Sequence, residues 1–362
     1  MTRQLTKEDI LNAKAIHLFN ETTVYVELND TEDVYGSYKG GEWFVKVNFW
    51  DYWDSELMLS YFEMLTPQKT FKLFEKWQRE YEKEVKKNNK LLNDAIVFAT
   101  CCHKGQVRKS TNIPYILHPL EVMEILHSMK AHTNLLIAGL LHDTLEDTSV
   151  TSEEISQKFG EEVAFLVGEC SEDKTKSWKD RKQHTITSVA TASLDVKKLV
   201  LADKLSNIRA IVSDYKAIGN NLWKRFNAPK EMQAWYYGDL QDSLCDLGQN
   251  PECCDAYWEY VALCKDVFVK YYLDEENEVI YQMCIDGSGF YLEKTNLMWH
   301  SVLNSNAQRI SDKVLETNKK QYFSTLIPGN GVVEITRKEA EFLEDMWNYE
   351  ADKRKIGDGE NE

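Results

Sequence analysis

Six side chains in this sequence could act on one substrate together: His118, the adjacent pair His142 and Asp143, Asp203, and Glu146 with Asp147 just past the pair. Two imidazoles and two carboxylates (His118, His142, Asp143 and Asp203) make a mixed nitrogen and oxygen donor set. Such a set suits manganese, iron or zinc better than calcium or a thiolate-seeking ion. With four protein donors, an octahedral ion keeps positions open for water and a phosphate oxygen, which metal-assisted hydrolysis requires. Glu146 and Asp147 are close enough in sequence to take a proton from the activated water. The pattern describes a metal-dependent phosphohydrolase site.

A helix has to position the central part of this set. At about 100° per residue, with His142 at 0°, Glu146 falls at about 40°, Asp143 at about 100° and Asp147 at about 140°. Ile137, Leu141 and Leu145 fall at roughly 220°, 260° and 300°, which gives the same helix an apolar back. Taken alone, LLHDTLEDTS also fits an acidic amphipathic helix with a solvated outer face; the whole constellation weighs against that.

From about residue 91 to 248 the apolar residues recur at three- and four-residue spacing in NDAIVFATCCHK, PLEVMEILHSM, TNLLIAGLLHDTLED, TSEEISQKFGEEVAFLVGEC, DVKKLVLADKLSNIRAIV and APKEMQAWYYGDLQDSLCDL. Pro119 is placed to open a helix, and Thr151 with Glu154 has the spacing of a capping box. The first 88 residues differ. TTVYVELND and VYGSYKGGEWFVKVNFW read as strands around a Gly-Gly turn, followed by a charged helix, QKTFKLFEKWQREYEKEVKKNN. EVIYQMCI, GFYLEKTNLMW and GVVEITRKEAEFLEDMW suggest strands and helices near the end. The expectation is a mainly α protein: an all-helical bundle over residues 89–249, with its chemistry in the interior, flanked by small α+β accessory regions at 1–88 and 250–362. The acidic tail GDGENE reads as disordered. The aromatic run Trp43, Phe44, Phe49, Trp50, Tyr52 and Trp53 reads as core or as a dimer contact, which leaves a homo-oligomer open.

Composition narrows the function classes. A chain of 362 residues with 43% hydrophobic content and ten tryptophans can bury more than one core. A net charge of −16 argues against nucleic acid or an anionic membrane as the principal partner. An anionic small substrate would need a local cluster of cations. The amino terminus has no apolar signal core and no stretch has the length of a membrane span, so the expected location is the cytoplasm. Eight cysteines include the pairs Cys101–Cys102 and Cys253–Cys254 but no CxxC, which points to reduced thiols rather than a zinc knuckle or a disulfide framework.

Just before His118, HKGQVRKSTNIPYILHP carries Arg108 and Lys109. In isolation such a pair is a solvated surface feature; beside a metal and a di-anionic substrate it becomes a phosphate clamp. Asn207 lies four residues past Asp203 and so shares its helix face.

The ordered motifs HKGQVRKSTNIPYILHP, LLHDTLEDT and LADKLSNIR resemble the HD-domain hydrolases of the RelA/SpoT homologue group, especially the small alarmone hydrolases that lack a synthetase domain. The resemblance covers about residues 91–248. It implies removal of the 3′-pyrophosphate from (p)ppGpp, giving GDP or GTP and pyrophosphate, usually with manganese. It makes His118, His142, Asp143 and Asp203 the metal ligands, and Glu146 and Asp147 the acidic pair that positions or activates water. It also places Arg108, Lys109 and Tyr115 near the guanine nucleotide and lets Asn207 reach its ribose or phosphate edge. Arg225 and Lys230, in LWKRFNAPKEMQAWYYGDL, become candidate phosphate contacts, and His103 of the H-x-G-Q segment a supporting histidine. Two features depart from the group: Ala210 stands where many bifunctional members have threonine, and the flanks match neither a synthetase nor a regulatory module. Another nucleotide as substrate, or a nucleotide sensor or antitoxin-like protein that keeps the pocket, are the competing readings.

Overall fold

The computed structural model describes all residues except 1, 4–5, 21–22, 30–31, 40–41, 48–62, 110, 285–288, 296, 302–331 and 359–362. The chain divides into two compact units, Met1–Asn93 and Asp94–Glu362.

In the first unit, a short helix α1 (Lys7–Leu11) starts at Thr6, where the side chains of Thr6 and Asp9 cap each other's backbone. Around it lies an antiparallel sheet of β1 (Thr2–Arg3), β2 (Ala15–Asn20), β3 (Thr23–Asn29), β4 (Glu32–Lys39), β5 (Glu42–Val47) and β6 (Glu63–Met64), in the order β1-β5-β4-β3-β2-β6 among the described residues. Ile10, Ile16, Val24 and Val26 form its buried core with Trp77 from the long helix α2 (Pro67–Cys102). The strands and the charged helix expected from the sequence are both present. Within the aromatic run, Trp43 and Phe44 fall on β5, whereas Phe49, Trp50, Tyr52 and Trp53 lie outside the described residues. One difference concerns length. The charged segment and NDAIVFATCC, read above as separate elements, are one continuous 36-residue helix, because no glycine or proline interrupts residues 68–102.

The second unit is built on helices. α3 (Leu117–Ser128), α4 (Thr133–Leu141), α5 (Thr144–Asp147), α6 (Ser152–Phe159), α7 (Glu161–Cys170), α8 (Trp178–Ala190), α9 (Leu194–Ile218), α10 (Lys230–Ser243) and α11 (Cys254–Phe268) follow in order. α4 is the hub: every residue from Leu135 to Leu141 is buried, and it packs on α3, α7 and α9. Each fully buried Leu or Ile there contributes roughly 1.5–3 kcal/mol of transfer free energy. The α3–α4 approach depends on Gly139, where a Cβ would lie 2.5 Å from Leu126 Cδ1. α9 begins at Ser193, whose hydroxyl accepts from Val196 N–H, and ends at Gly219 with φ 56°.

Local details depart from a simple periodic reading. The TSEEISQKFGEEVAFLVGEC segment breaks at Gly160, φ 100°, into α6 and α7. Thr151 caps α6 through its side chain, as its spacing with Glu154 suggests. Pro119 is the third residue of α3, where its missing N–H is harmless. The helix bearing the site residues ends at Leu141. The imidazole of His142 donates to Gly139 O and the hydroxyl of Thr144 to Leu141 O, so side chains occupy carbonyls that would continue the ladder. His142 and Asp143 keep right-handed helical dihedrals across the joint, so the angular order read from the sequence survives.

Past the bundle, β7 (Val269–Asp274), β8 (Val279–Cys284), β9 (Gly289–Glu293), β10 (Trp299–Ser301) and β11 (Val332–Ile335) form a sheet ordered β10-β9-β8-β7-β11 among the described residues. Tyr271, Ile280 and Leu292 bury against Ala340 and Trp347 of α12 (Arg337–Asp358). Of the acidic tail, Gly357 and Asp358 end α12, and residues 359–362 lie outside the described ones. The sequence reading did not single out α11, which packs along α9. All eight cysteines are free thiols. Among the described residues no helix is long and apolar enough to cross a membrane.

Candidate active site

His118 is the second residue of α3, His142 and Asp143 form the joint after α4, and Asp203 lies within α9. Packing of these helices brings them together. His118 Nε2 lies 3.2 Å from Asp203 Oδ1 and 3.6 Å from Asp143 Oδ2; His142 Nε2 lies 2.9 Å from Asp143 Oδ2 and 3.7 Å from Asp203 Oδ1. Donor atoms of His118, His142 and Asp203 all fall within 4.8 Å of one another, and both histidines are only 3% exposed.

Tautomers decide what this cluster can hold. The Nδ1–H of His142 donates to Gly139 O at 2.9 Å, which in the neutral ring leaves a lone pair on Nε2. That buried nitrogen has no hydrogen-bond partner: Asp143 Oδ2 comes close, but without hydrogen-bond geometry. A buried lone pair facing two carboxylates is stable only with a positive charge between them. A proton on Nε2 or a divalent cation meets that requirement, and the donor set fits a cation. The electrostatics agree. Burial works against a charged His142, yet the Asp143 and Asp203 carboxylates raise its pKa well above the ordinary histidine value. Burial also works against ionised Asp143, but His142 holds it below the usual carboxylate range. Asp203 is held low against burial by Lys204 first, then by the two histidines.

The remaining residues of the sequence reading fall in different places. The Tyr115 hydroxyl donates to Asp143 Oδ2 at 2.5 Å, and the Asn207 amide donates to Asp203 Oδ1 at 2.6 Å; both touch donor carboxylates directly. His103 is buried against the Tyr115 ring and contacts Gln106, whose amide donates to Asp147 O, so it supports the loop. Lys109 donates to Asn227 Oδ1 at 3.3 Å. Arg108 sits in the loop closed by its own N–H to Ile113 O and by the Val107–Pro114 bridge. Arg225 pairs with Asp214, and the Lys230 ammonium lies over the Tyr215 and Trp223 rings.

Glu146 and Asp147 occupy the rim. Glu146 Oε1 accepts the N–H of Glu172 at 2.7 Å; burial raises the Glu146 pKa, that hydrogen bond lowers it, and the Asp143 charge raises it further. Lys174 donates to Glu146 O and to Asp147 Oδ1, at 2.6 and 2.9 Å. Glu172 in turn accepts from Arg181 and Lys182. Lys204 donates to Asp203 Oδ2 at 2.6 Å and lies over the Tyr236 ring. Asp203, Lys204, Glu172, Arg181 and His184 line a cleft that opens beside the cluster. Sequence reasoning missed Lys174, Glu172 and Lys204. For Lys204 a signal existed, since it follows Asp203 directly; for Glu172 and Lys174 none did.

With this geometry established, similarity to known proteins decides the family. The HD domain family matches residues 95–228, which contain His118, His142, Asp143 and Asp203. A guanosine-3′,5′-bis(diphosphate) 3′-pyrophosphohydrolase MESH1 from Xenopus tropicalis is 43% identical over 122 residues, covering 33% of this chain and 68% of the relative. The chain belongs to the HD-domain family of RelA/SpoT homologues. A GTP pyrophosphokinase from Myxococcus xanthus is 35% identical over 130 residues, 33% of this chain. The chain spans only 17% of the length of that larger relative. A crystal structure from Listeria monocytogenes EGD-e is 39% identical, covers 41% of this chain and 96% of its own, and superposes with a TM-score of 0.39. His118, His142, Asp143 and Asp203 all lie inside the segment that the HD domain family matches.

Proposed function

We propose that this HD-domain protein hydrolyses the 3′-pyrophosphate of guanosine alarmones, converting ppGpp or pppGpp to GDP or GTP plus pyrophosphate, with manganese as the working ion. The observation that carries the reading is the convergence of His118, His142 and Asp203 on one point, with Asp143 beside them, in the segment matched by the HD domain family, in a chain 43% identical over 122 residues to a named ppGpp 3′-pyrophosphohydrolase.

His118, His142, Asp143 and Asp203 hold the ion in this reading. A bound divalent cation supplies Lewis acidity toward a phosphoryl oxygen and lowers the pKa of water. The chain's own groups do the rest. Tyr115 and Asn207 each donate to one donor carboxylate, which fixes the oxygen turned toward the histidines. Glu146 and Asp147 orient the attacking water and accept its proton; a raised Glu146 pKa brings that carboxylate closer to neutrality, where proton transfer is most effective. Arg108 and Lys109 hold the 3′-diphosphate, and Arg225 and Lys230, on releasing Asp214 and Tyr215, hold the other phosphates. Residues 1–88 and 250–362 serve as accessory regions.

The test is the product set. With manganese, phosphorus NMR of a ppGpp reaction is expected to show GDP and intact pyrophosphate. Stepwise orthophosphate release, or attack on the 5′ chain of GTP at a comparable rate, would refute the alarmone assignment in favour of a general nucleotidase.

A further inference from the structure

Behind His118, on the side away from the carboxylates, runs a chain of polar contacts that the function above does not use. His118 Nδ1 lies 2.8 Å from Ser206 Oγ, and the Ser206 hydroxyl lies 2.7 Å from Glu121 Oε2. Arg209 Nη1 donates to the other Glu121 oxygen at 3.2 Å. The same guanidinium grips Glu259 through Nε and Nη2, at 2.7 Å each. Ser206 is fully buried, so its hydroxyl has these neighbours and no bulk water.

Proton counting gives the chain a direction. Arginine has donors and no acceptor, so Glu121 accepts from it. A serine hydroxyl has one proton, and the Glu121 carboxylate is the acceptor it faces. Having spent its proton there, Ser206 Oγ accepts from His118, which puts the ring proton on Nδ1. The lone pair is then on Nε2, the nitrogen that lies 3.2 Å from Asp203 Oδ1. On His142 the same choice is made by a backbone carbonyl, Gly139 O. His118 has no such carbonyl among its hydrogen-bond partners, so side chains do this instead.

We propose that Ser206, Glu121 and the Arg209–Glu259 pair form a positioning relay that fixes the metal-binding tautomer of His118 and thereby sets metal affinity. The inference rests on the reading of His118 as a metal ligand. It gives roles to Ser206 and Arg209, which lie inside LADKLSNIR, and to Glu121 and Glu259, which lie outside the quoted motifs. It also gives α11 a role, since Glu259 lies beyond the matched HD segment, residues 95–228. Without Ser206 the buried ring can carry its proton on Nε2, where it blocks the ion. Outer partners of metal-bound histidines typically contribute about 10- to 100-fold in metal affinity.

The experiment measures Mn2+ binding by electron paramagnetic resonance on the full chain without nucleotide, with circular dichroism and apo melting as fold controls. Ser206→Ala and Glu121→Ala are expected to weaken Mn2+ binding by about 10- to 100-fold, while Ser206→Thr, which keeps the hydroxyl, stays near the parent. Glu259→Ala, one step further out, is expected to lose less. Parent-like affinity in Ser206→Ala overturns the relay. Equal loss in Ser206→Thr and Ser206→Ala also overturns it, because packing and not hydrogen bonding would then be responsible. If Ser206→Thr does not fold, Glu121→Ala decides alone, with parent-like affinity counting against the relay. Asp203→Ala separates the two levels: if it keeps full Mn2+ affinity the metal site itself is wrong, and if it loses Mn2+ while Ser206→Ala does not, only the relay is.

Discussion

The two halves of the candidate site are built differently. The donor half, His118, His142, Asp143 and Asp203, is set in the helical core, with both histidines 3% exposed and each tied to a partner through Nδ1. The acidic half, Glu146 and Asp147, sits at the end of a one-turn helix, and the Asp147 side chain is 40% exposed. Its supports come from the segment after α7, through the Glu172 N–H and the Lys174 ammonium. Ligands must hold geometry in every state of the cycle, whereas groups that handle water must exchange protons with it. In the proposed function the architecture sets the two histidines in a buried floor and Asp147 on a solvated rim, with Glu146, 21% exposed, as sheltered as Asp143 at 20%.

The largest expected effect breaks the floor. Asp203→Ala removes one donor and leaves Lys204 and both histidines without their shared carboxylate. Turnover of ppGpp with Mn2+ should fall by several orders of magnitude while far-UV circular dichroism stays helical. Near-normal turnover would remove the distinction between floor and rim.

Next comes the rim. Glu146→Gln and Asp147→Asn should each lower kcat by roughly 10²-fold with KM little changed, as expected for lost general-base or orienting help. A rise in KM alone would move these carboxylates to substrate binding. Mn2+ affinity should be nearly unaffected in both variants, in contrast to Asp203→Ala.

The smallest effect concerns what holds the rim. Burial pushes the Glu172 pKa up, but Lys182 above all, with Lys204 and Arg181, brings it below its ordinary value of 4.5. A carboxylate with a depressed folded-state pKa contributes stability that is complete above its unfolded pKa. That contribution is lost as pH falls through the folded value. Its partner Lys182 is itself shifted downward, by burial and then by Lys204, so the ammonium gains less from the pair than the carboxylate does. Glu172→Gln should cost roughly 1–3 kcal/mol near neutral pH. Chemical denaturation at several pH values should show that gap closing below pH 4.5. A gap independent of pH would mean that Glu172 acts through packing alone.

The donor half was legible in the sequence and much of its support was not. His142, Asp143, Glu146 and Asp147 are neighbours in one segment, and helical periodicity around them and around Asp203 survives in α4 and α9. Those are local signals, set within a few residues. Ser206–Glu121, Arg209–Glu259 and Lys174–Asp147 join residues 85, 50 and 27 positions apart, and only the tertiary packing of helices makes them partners. Tyr115 and Asn207 were read as nucleotide contacts; in the structure they hydrogen-bond to Asp143 and Asp203, which spacing cannot reveal. α11 was missed for another reason. Tyr257, Tyr260 and Val261 favour strands locally, and their burial in a helix packed on α9 overrides that preference. Strands in both flanks were recognisable by alternation; Gly40 and Gly41, read as a turn, lie outside the described residues.

The 36-residue helix α2 bears on how this protein could be dissected or recombined. The border between the two compact units falls at Asn93 and Asp94, inside that helix and not in a loop. Proteases need an extended segment, so limited digestion should spare this border and cut first elsewhere. A genetic exchange that swapped one unit would have to splice inside a continuous helix, with helix-forming residues and no glycine or proline on either side of the joint.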